Sequence, residues 1–417
     1  MREVPVASVE NDIRNVELVD EELWHDGPPH EVFKEMRGKC PIHWTRHIPE
    51  FPHEDGFWSV TTADDVYAVS RDWETYSSER GGITAAGVLP LELSRAMFIG
   101  MDPPKHDRVK ALFQRGFTPK RIADHEERIR EIAIRVLDRL EGPPARETCD
   151  LVNEVAQPVV ARVIGSFMGI SEEEDAIWAE LMNAVLGGGD EDLNPEGIDA
   201  IMGKLVPEIF ERCGRMIAER RENPTDDLTS VLVHAEVDGE KLEEHEIVMG
   251  FFLLMAAGND STKATYCSGM RAIMEDPEQR QLLLDDPSLA PDAVEEALRM
   301  FPAFAHFRRT ATRDAELHGQ QIKEGQKVVL WYVSSNRDET RYEDPDRFDL
   351  RRKAEHQAFG AGGRHFCLGT ALARMELRIL IEETLKRYPR IAMDGAPEFV
   401  ESPFINQLKT LPVRLAG

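Results

Sequence analysis

The spacing of apolar and polar positions changes twice along the chain. Between about residues 105 and 300, apolar residues recur three and four positions apart, as in HEERIREIAIRVLDRLEG, which is the period of amphipathic helices. Before and after that part, stretches such as FWSV and QKVVLWYVSSN are typical of strands. No internal repeat or low-complexity linker interrupts the chain. The pattern therefore predicts one domain over residues 1–417, mainly α with smaller β regions (α+β), and strand-rich parts at about 40–80, 300–360 and 390–417.

Charge and apolar content exclude several classes of protein. The chain has 50 lysines and arginines against 77 aspartates and glutamates, a net charge of −27, which argues against a broad nucleic-acid surface. Its longest strongly apolar stretch, IVMGFFLLMAAG, is too short to span a bilayer. The acidic N-terminal stretch has no apolar signal core. We therefore expect a cytoplasmic monomer that has no membrane span and binds no nucleic acid.

One of the five cysteines differs from the others. Cys40, Cys149, Cys213 and Cys267 are widely spaced, form no C-x-x-C pair and suit reduced thiols rather than disulfides or a zinc site. Cys367 instead lies in AFGAGGRHFCLG, where glycines permit close approach of the backbone to a ligand. A phosphate loop would need lysine followed by serine or threonine. Basic neighbours and a helix start stabilise a thiolate, so Cys367 is either a reactive nucleophile or a proximal haem ligand.

A second unusual stretch is MAAGNDSTKAT, inside a long apolar helix. It places Gly258, Asp260, Ser261 and Thr262 where polar groups are costly unless each finds a partner or water. Gly258 is expected to loosen the helix and open a notch for water or a diatomic ligand. These residues favour a buried reaction site over a solvated turn.

Taken together, the two stretches resemble the cytochrome P450 superfamily, particularly soluble bacterial members, over nearly the whole chain. The haem-loop motif is matched by Phe359, Gly360, Gly362, His365, Cys367 and Gly369. One extra residue separates phenylalanine from cysteine, as in some bacterial sterol and branched-lipid hydroxylases. The oxygen-activating helix motif is matched by Ala257, Gly258, Asn259, Asp260 and Ser261, with serine in place of the usual threonine.

The resemblance implies a P450 fold, a triangular helix-rich domain around a buried haem b whose iron is bound by the Cys367 thiolate. Further haem contacts are implied for His365, Arg364, Arg309, His106, Lys110, Phe359, Gly360, Gly369, Ala257 and Gly258. Lys110 replaces the usual arginine, and either Arg364 or His365 faces a propionate. The family's Glu-x-x-Arg pair is matched by Glu296 and Arg299, and Arg347 is implied as their partner.

The implied activity is that of a monooxygenase that uses O2. Asp260 with Ser261 or Thr262 would relay protons, and a ferredoxin would supply electrons at a basic patch containing Arg115, Arg364 and Arg374. The matching pocket segments suit a sterol, terpenoid or fatty acid. They contain Val88, Leu89, Met97, Phe98, Leu253, Leu254, Ala257, Phe304, Phe307, Phe404 and Ile405.

Three other functions remain as alternatives. A peroxide-driven haem-thiolate peroxygenase would lack the helix acid and alcohol that Asp260 and Ser261 supply. A non-catalytic haem sensor would need a partner or DNA-binding module, and the sequence shows none. If the chain were a cysteine hydrolase, the purified protein would show no Soret absorption, so one absorption spectrum tests this alternative.

Overall fold

The computed structural model describes residues 16–46, 48, 55–85, 91–141, 146–187, 192, 196, 200–237, 239–353 and 355–415. Its α-helices are α1 His30–Lys39, α2 Ala63–Arg71, α3 Leu91–Ala96, α4 Lys105–Gln114, α5 Pro119–Asp124, α6 Glu126–Asp138, α7 Gln157–Met168, α8 Asp175–Gly187, α9 Val206–Glu222, α10 Leu228–His234, α11 Glu244–Glu275, α12 Pro277–Asp285, α13 Ala290–Met300, α14 Tyr332–Ser335 and α15 Thr370–Arg387. The strands are β1 Ile42–Thr45, β2 Phe57–Val60, β3 Tyr76–Ser77, β4 Thr148–Asp150, β5 Glu236–Val237, β6 Glu240–Lys241, β7 His306–Ala311, β8 Ala315–Leu317, β9 Gln320–Ile322, β10 Lys327–Trp331, β11 Ala392–Met393, β12 Glu398–Phe399, β13 Leu408–Thr410 and β14 Pro412–Arg414.

Helix α11 runs through the centre of the helical part. It begins at a capping box, in which Glu243 and Glu246 satisfy each other's backbone N–H groups. It then continues for 32 residues with apolar side chains buried on most sides. Helices α7, α8, α9, α13 and α15 pack against it. The acid and alcohols of the central turn are therefore held deep inside the protein.

The main sheet lies beside this helical part. Its strand order is β1-β2-β10-β7-β3, with β2 and β10 parallel and the other pairs antiparallel. Successive side chains of a strand point to opposite faces. Phe307 and Arg309 of β7 accordingly face the same space between sheet and helices. The sheet thus presents an aromatic ring and a guanidinium to that space.

The cysteine loop is shaped by three glycines with left-handed backbone. Gly360, Gly362 and Gly363 have φ of 88°, 76° and 83°, which glycine adopts readily. A Cβ at Gly363 would stand 2.7 Å from the carbonyl oxygen of Ser70, so the loop packs directly on the end of α2. The N–H of Cys367 donates to the carbonyl oxygen of Phe359 at 2.9 Å. These features fix Cys367 just before α15.

Two short strand regions lie within residues 105–300, which the periodicity predicted as helical. Strand β4 pairs with β14 from the end of the chain, and β5 pairs with β6. A partner so distant in sequence leaves no local signal, which explains the difference for β4. Within the described ranges, the helices lack a segment of sufficient length and hydrophobicity to traverse a bilayer.

Candidate active site

A large cavity lies between α11, strand β7 and the cysteine loop. Its volume, counted out to its opening, is about 1480 Å³. The side chains on its walls are mostly apolar, and the polar ones gather at one end and beside the central turn of α11. Among the residues predicted for a substrate pocket, those on the walls are Phe98, Leu253, Leu254, Ala257, Phe304 and Phe307.

Three predicted pocket residues do not line the cavity, so their assignment is wrong. Met97 and Ile405 are buried in the hydrophobic core. Phe404 packs behind the wall, with its ring 5.2 Å from that of Phe304. Apolar side chains in such segments alternate between pocket and core, and sequence does not separate the two. Val88 and Leu89 lie outside the described residues.

Cys367 stands on the cavity wall beside groups that favour a thiolate. Burial raises the pKa of its thiol, while the N–H of Gly369 and the positive charges of Lys110 and Arg374 act in the opposite direction. In the part of the chain that the structure describes, His, Cys, Asp and Glu side chains form no group of three able to hold a metal ion. An iron bound by Cys367 must therefore bring its other ligands, as a porphyrin does.

One end of the cavity collects hydrogen-bond donors and positive charge. His106 is buried with its Nε2 unpartnered, and its ring centroid lies 4.3 Å from that of His365. Burial lowers the pKa of both imidazoles. Arg309 is also buried and faces the cavity, and Lys110 Nζ donates to the carbonyl oxygen of Phe366 at 2.7 Å. This donor set suits a ligand that carries carboxylates.

His365 and Arg364 point in different directions. His365 lines the cavity and its Nε2 lies 3.2 Å from the hydroxyl oxygen of Ser78. Arg364 forms an ion pair with Asp107 on the outer side and is half exposed. The geometry therefore places His365, and not Arg364, on the cavity wall, a choice that the sequence left open.

These features together fit haem b. A thiol on one wall can bind iron, and Phe359, Gly360 and Gly369 provide the surface around it. Arg309 and Lys110, which both line the cavity, supply two positive charges that can neutralise two carboxylates. The unpartnered Nε2 of His106 is a buried polar atom that such a carboxylate would satisfy.

The central turn of α11 places its alcohols and its acid differently. Ser261 and Thr262 line the cavity, but Asp260 is fully buried behind the wall and contacts Lys263. The hydroxyl of Ser261 donates to the carbonyl oxygen of Ala257 at 2.6 Å, a bond to the preceding turn of its own helix. Its proton is therefore already engaged.

Gly258 does not loosen α11, contrary to the sequence-based expectation. The helix is continuous through this position. A Cβ there would stand 2.8 Å from Cδ1 of Ile164 on α7. Glycine thus serves close packing of two helices rather than a break in hydrogen bonding.

Glu376 on α15 is a site residue that the sequence analysis missed. Its carboxyl group is buried on the cavity wall beside Thr262, and its Oε1 has no hydrogen-bond partner among the described residues. Burial raises its pKa to about 8, so it is protonated at neutral pH. Its spacing from Leu372 and Leu380, four residues on either side, puts a carboxyl group on an apolar helix face, and that was the available signal.

The Glu-x-x-Arg pair forms a buried ion cluster on the cysteine side. Arg299 Nη2 lies 2.7 Å from Glu296 Oε1, and both side chains are buried. The third member is Arg352, whose Nε donates to Glu296 Oε1 at 3.0 Å. The prediction of Arg347 is wrong for its side chain, because Arg347 is exposed and contributes only its carbonyl oxygen to Arg299 at 3.3 Å.

Two of the three cations predicted for a basic patch are paired with carboxylates. Arg364 is bound to Asp107, and Arg374 contacts Glu295 at 2.6 and 2.8 Å. Arg115 is exposed. The patch predicted over the cysteine face therefore has less uncompensated positive charge than the sequence indicated.

The thiol, the carboxylate-binding end and the alcohol-bearing helix define a haem-thiolate oxygenase. The chain belongs to the cytochrome P450 family, whose model, described as "Cytochrome P450", matches residues 196–410. It is 38% identical over 417 residues to "Methyl-branched lipid omega-hydroxylase" of Mycobacterium tuberculosis, covering 99% of this chain and 95% of that protein. It is 32% identical to "Steroid C26-monooxygenase" of Rhodococcus jostii, covering 95% and 84%.

Solved structures agree with this assignment. Cytochrome P450 CYP268A2 of Mycobacterium marinum, in complex with pseudoionone, superposes with a TM-score of 0.87 at 35% identity, covering 93% of this chain and 94% of that one. The predicted P450 fold is confirmed. The protein is a P450 monooxygenase that uses haem b, O2, an apolar substrate and a redox partner.

Proposed function

We propose that this P450 hydroxylates a terminal methyl group of a methyl-branched apolar chain. The observation that carries the proposal is the apolar wall of the cavity, formed by residues such as Phe98, Leu253 and Phe307. Thr265, which also lines the cavity, has its hydroxyl engaged with the carbonyl oxygen of Phe301 at 3.2 Å. A substrate is therefore recognised by shape and apolar area rather than by hydrogen bonds.

The named relatives narrow the substrate class. An ω-carbon of a methyl-branched lipid and C26 of a steroid side chain are both terminal methyl groups of branched alkyl chains. Pseudoionone, bound in the similar structure, also ends in a branched dimethyl group. A cavity that is apolar around such an end excludes water and holds one methyl group nearest the reactive centre.

The residues of this chain divide the work of the reaction. Bound haem supplies the oxidising chemistry, which a thiolate ligand favours by donating electron density. Cys367 would hold the iron, and His106 with Arg309 would hold the carboxylates. The hydroxyl of Thr262 would pass a proton into the cavity, since that of Ser261 is engaged with the helix backbone. Glu376, protonated at neutral pH, is the carboxyl group that the described cavity wall places beside Thr262.

Electrons enter from a ferredoxin-type donor at the cysteine face. Phe366 and Tyr67, both near the glycine loop, are among the exposed large apolar side chains. Arg115 adds an exposed charge. An aromatic and cationic surface of this kind suits transient contact with an acidic electron carrier.

The substrate proposal is tested with matched ligands. Holoenzyme is titrated with 15-methylhexadecanoic acid and with its unbranched isomer heptadecanoic acid, and the shift of the Soret band from low to high spin is followed. We expect tighter saturation with the branched acid and, with a ferredoxin and its reductase, oxidation at a terminal methyl group. Equal affinity for both acids, or oxidation along the chain interior, would contradict the proposal.

The assignment of the alcohol is tested by comparing Thr262→Val with Ser261→Ala. The expected result is that Thr262→Val diverts most reducing equivalents to hydrogen peroxide, whereas Ser261→Ala couples nearly as well as the native enzyme. Haem content and the Soret maximum serve as controls for folding. If Ser261→Ala is the variant that leaks peroxide, the roles are reversed.

A further inference from the structure

A buried polar cluster lies between α7, α8 and α11, on the side of α11 away from the cavity. Lys263 Nζ donates to Gln157 Oε1 at 2.8 Å and to Asn183 Oδ1 at 2.9 Å, and it contacts Asp260 Oδ1. The three amides also bond to one another, from Gln157 to Asn259 at 3.2 Å, from Asn183 to Gln157 at 3.1 Å and from Asn259 to Asn183 at 3.3 Å. We call Gln157, Asn183 and Asn259 the amide cluster.

The ammonium group of Lys263 has an acceptor for each of its protons, and it is the cation that pairs with Asp260. An ammonium has three protons, and Gln157, Asn183 and Asp260 provide three acceptors. Asp260 is 0% exposed, and apart from the ion pair with Lys263 its carboxylate oxygens have no partner among the described side chains and backbone groups. A buried carboxylate is costly unless a charge compensates it. Lys263 is therefore the group that compensates the buried Asp260 side chain at this position.

The register of α11 links this cluster to the cavity. Asp260 and Lys263 are three residues apart on one face and contact each other there. Ser261 and Thr262, which lie between them in sequence, line the cavity on the other side. Because Lys263 is anchored to α7 and α8, its direction is set by helices other than its own. The position of the acid is thereby fixed relative to the alcohols.

We propose that Lys263 is a positioning residue for proton delivery. With the amide cluster, it holds the Asp260 side chain against α7 and α8, immediately before the alcohols. Lys263 does not line the cavity, so it acts through Asp260 and not on the substrate. The inference rests on the proposed function, in which this turn of α11 delivers protons.

The first test is a cycle of variants in the holoenzyme that is read by thermal unfolding. Lys263→Met leaves a buried carboxylate without its cation, so the melting temperature falls by several degrees. Adding Asp260→Asn removes that carboxylate, and the double variant regains most of the loss. Lys386→Met is the matched control, because Lys386 is exposed, has the same spacing from Glu383, and leaves Glu383 paired with Arg130 when it is removed, so its loss has little effect. A double variant less stable than Lys263→Met would overturn the proposed pairing.

The second test reads product formed per NADH consumed, with a ferredoxin and its reductase. Lys263→Met and Asp260→Asn are each expected to lower this coupling by roughly tenfold, and the double variant no further, since both act through one group. If Asp260→Asn lowers coupling while Lys263→Met does not, Lys263 is merely structural and the inference fails. Additive losses also overturn it.

A separate result would show that this turn of α11 does not deliver protons. If Asp260→Asn itself couples like the native enzyme, Asp260 has no part in proton delivery, and the positioning role falls with it. Should Lys263→Met yield no folded holoenzyme, Lys263→Gln takes its place, because it is neutral and retains a hydrogen-bond donor for Asp260.

Discussion

Replacing Glu376 with glutamine is expected to make the protein more stable at neutral pH and to flatten the dependence of its stability on pH. The carboxyl pKa is 4.5 in an unperturbed setting and about 8 in the folded protein. Below pH 4.5 the carboxyl group is protonated in both the folded and the unfolded protein, so it does not change the free energy of unfolding. As the pH rises from 4.5 to about 8, the unfolded chain loses its proton while the folded one keeps it, and the folded state loses relative stability.

The size of the effect follows from the two pKa values. At about 1.4 kcal/mol per pKa unit, the free energy of unfolding of the native protein falls by roughly 3 kcal/mol by pH 7 and by roughly 5 kcal/mol above pH 8. Unfolding entropy near 2.1 cal/mol/K per residue converts 3 kcal/mol to about 3 °C for a chain of this length. Glutamine has the same shape as the protonated acid and no such penalty.

Thermal unfolding of holoenzyme at pH 5, 6, 7 and 8 measures this difference directly. The gap in melting temperature between Glu376→Gln and the native protein should widen steadily with pH. Glu131→Gln, at an exposed position on α6, should show a constant gap near zero. A constant gap for Glu376→Gln would refute the reasoning, because it would mean that Glu376 does not exchange its proton differently in the two states.

Two further predictions concern packing and the ion cluster. Arg352→Gln should destabilise the protein by about 2 kcal/mol, because it loses a buried hydrogen bond to Glu296, whereas Arg347→Gln should change stability by less than about 0.5 kcal/mol. Urea unfolding of the two variants measures these changes. A larger loss in Arg347→Gln would restore Arg347 as the partner of Glu296 and Arg299. Gly258→Ala should lower stability by about 1 kcal/mol because its Cβ meets Ile164, and adding Ile164→Val, which removes the Cδ1 atom at 2.8 Å, should recover part of the loss. Thermal unfolding of both variants decides, and no recovery would contradict the clash.

The sequence alone marks candidate groups whose chemistry is carried by neighbours in the chain. The thiol of Cys367 and its glycines, the alcohols of α11 and the pair Glu296 and Arg299 are each encoded within a dozen residues or fewer. Local spacing and residue type are enough to mark such groups. The family resemblance then supplied the fold that joins them.

The residues that were missed come from distant parts of the chain. Lys263 was visible as a charge in a buried helix, but its partners Gln157 and Asn183 lie 106 and 80 residues before it. Glu376 meets Thr262 only because α15 packs against α11. Tertiary packing creates such contacts, and one sequence does not record them. For the same reason, one sequence does not distinguish apolar residues that line the pocket from those that lie in the core.

Ile164 ties the shape of the pocket to the packing of the central helix. Its side chain lines the cavity and also fills the space that a Cβ of Gly258 would need. A smaller residue at 164 would therefore enlarge the pocket and at the same time open a gap beside Gly258. Evolution or engineering toward a larger substrate at this wall is expected to proceed by paired exchange, in which Ile164 shrinks as Gly258 grows.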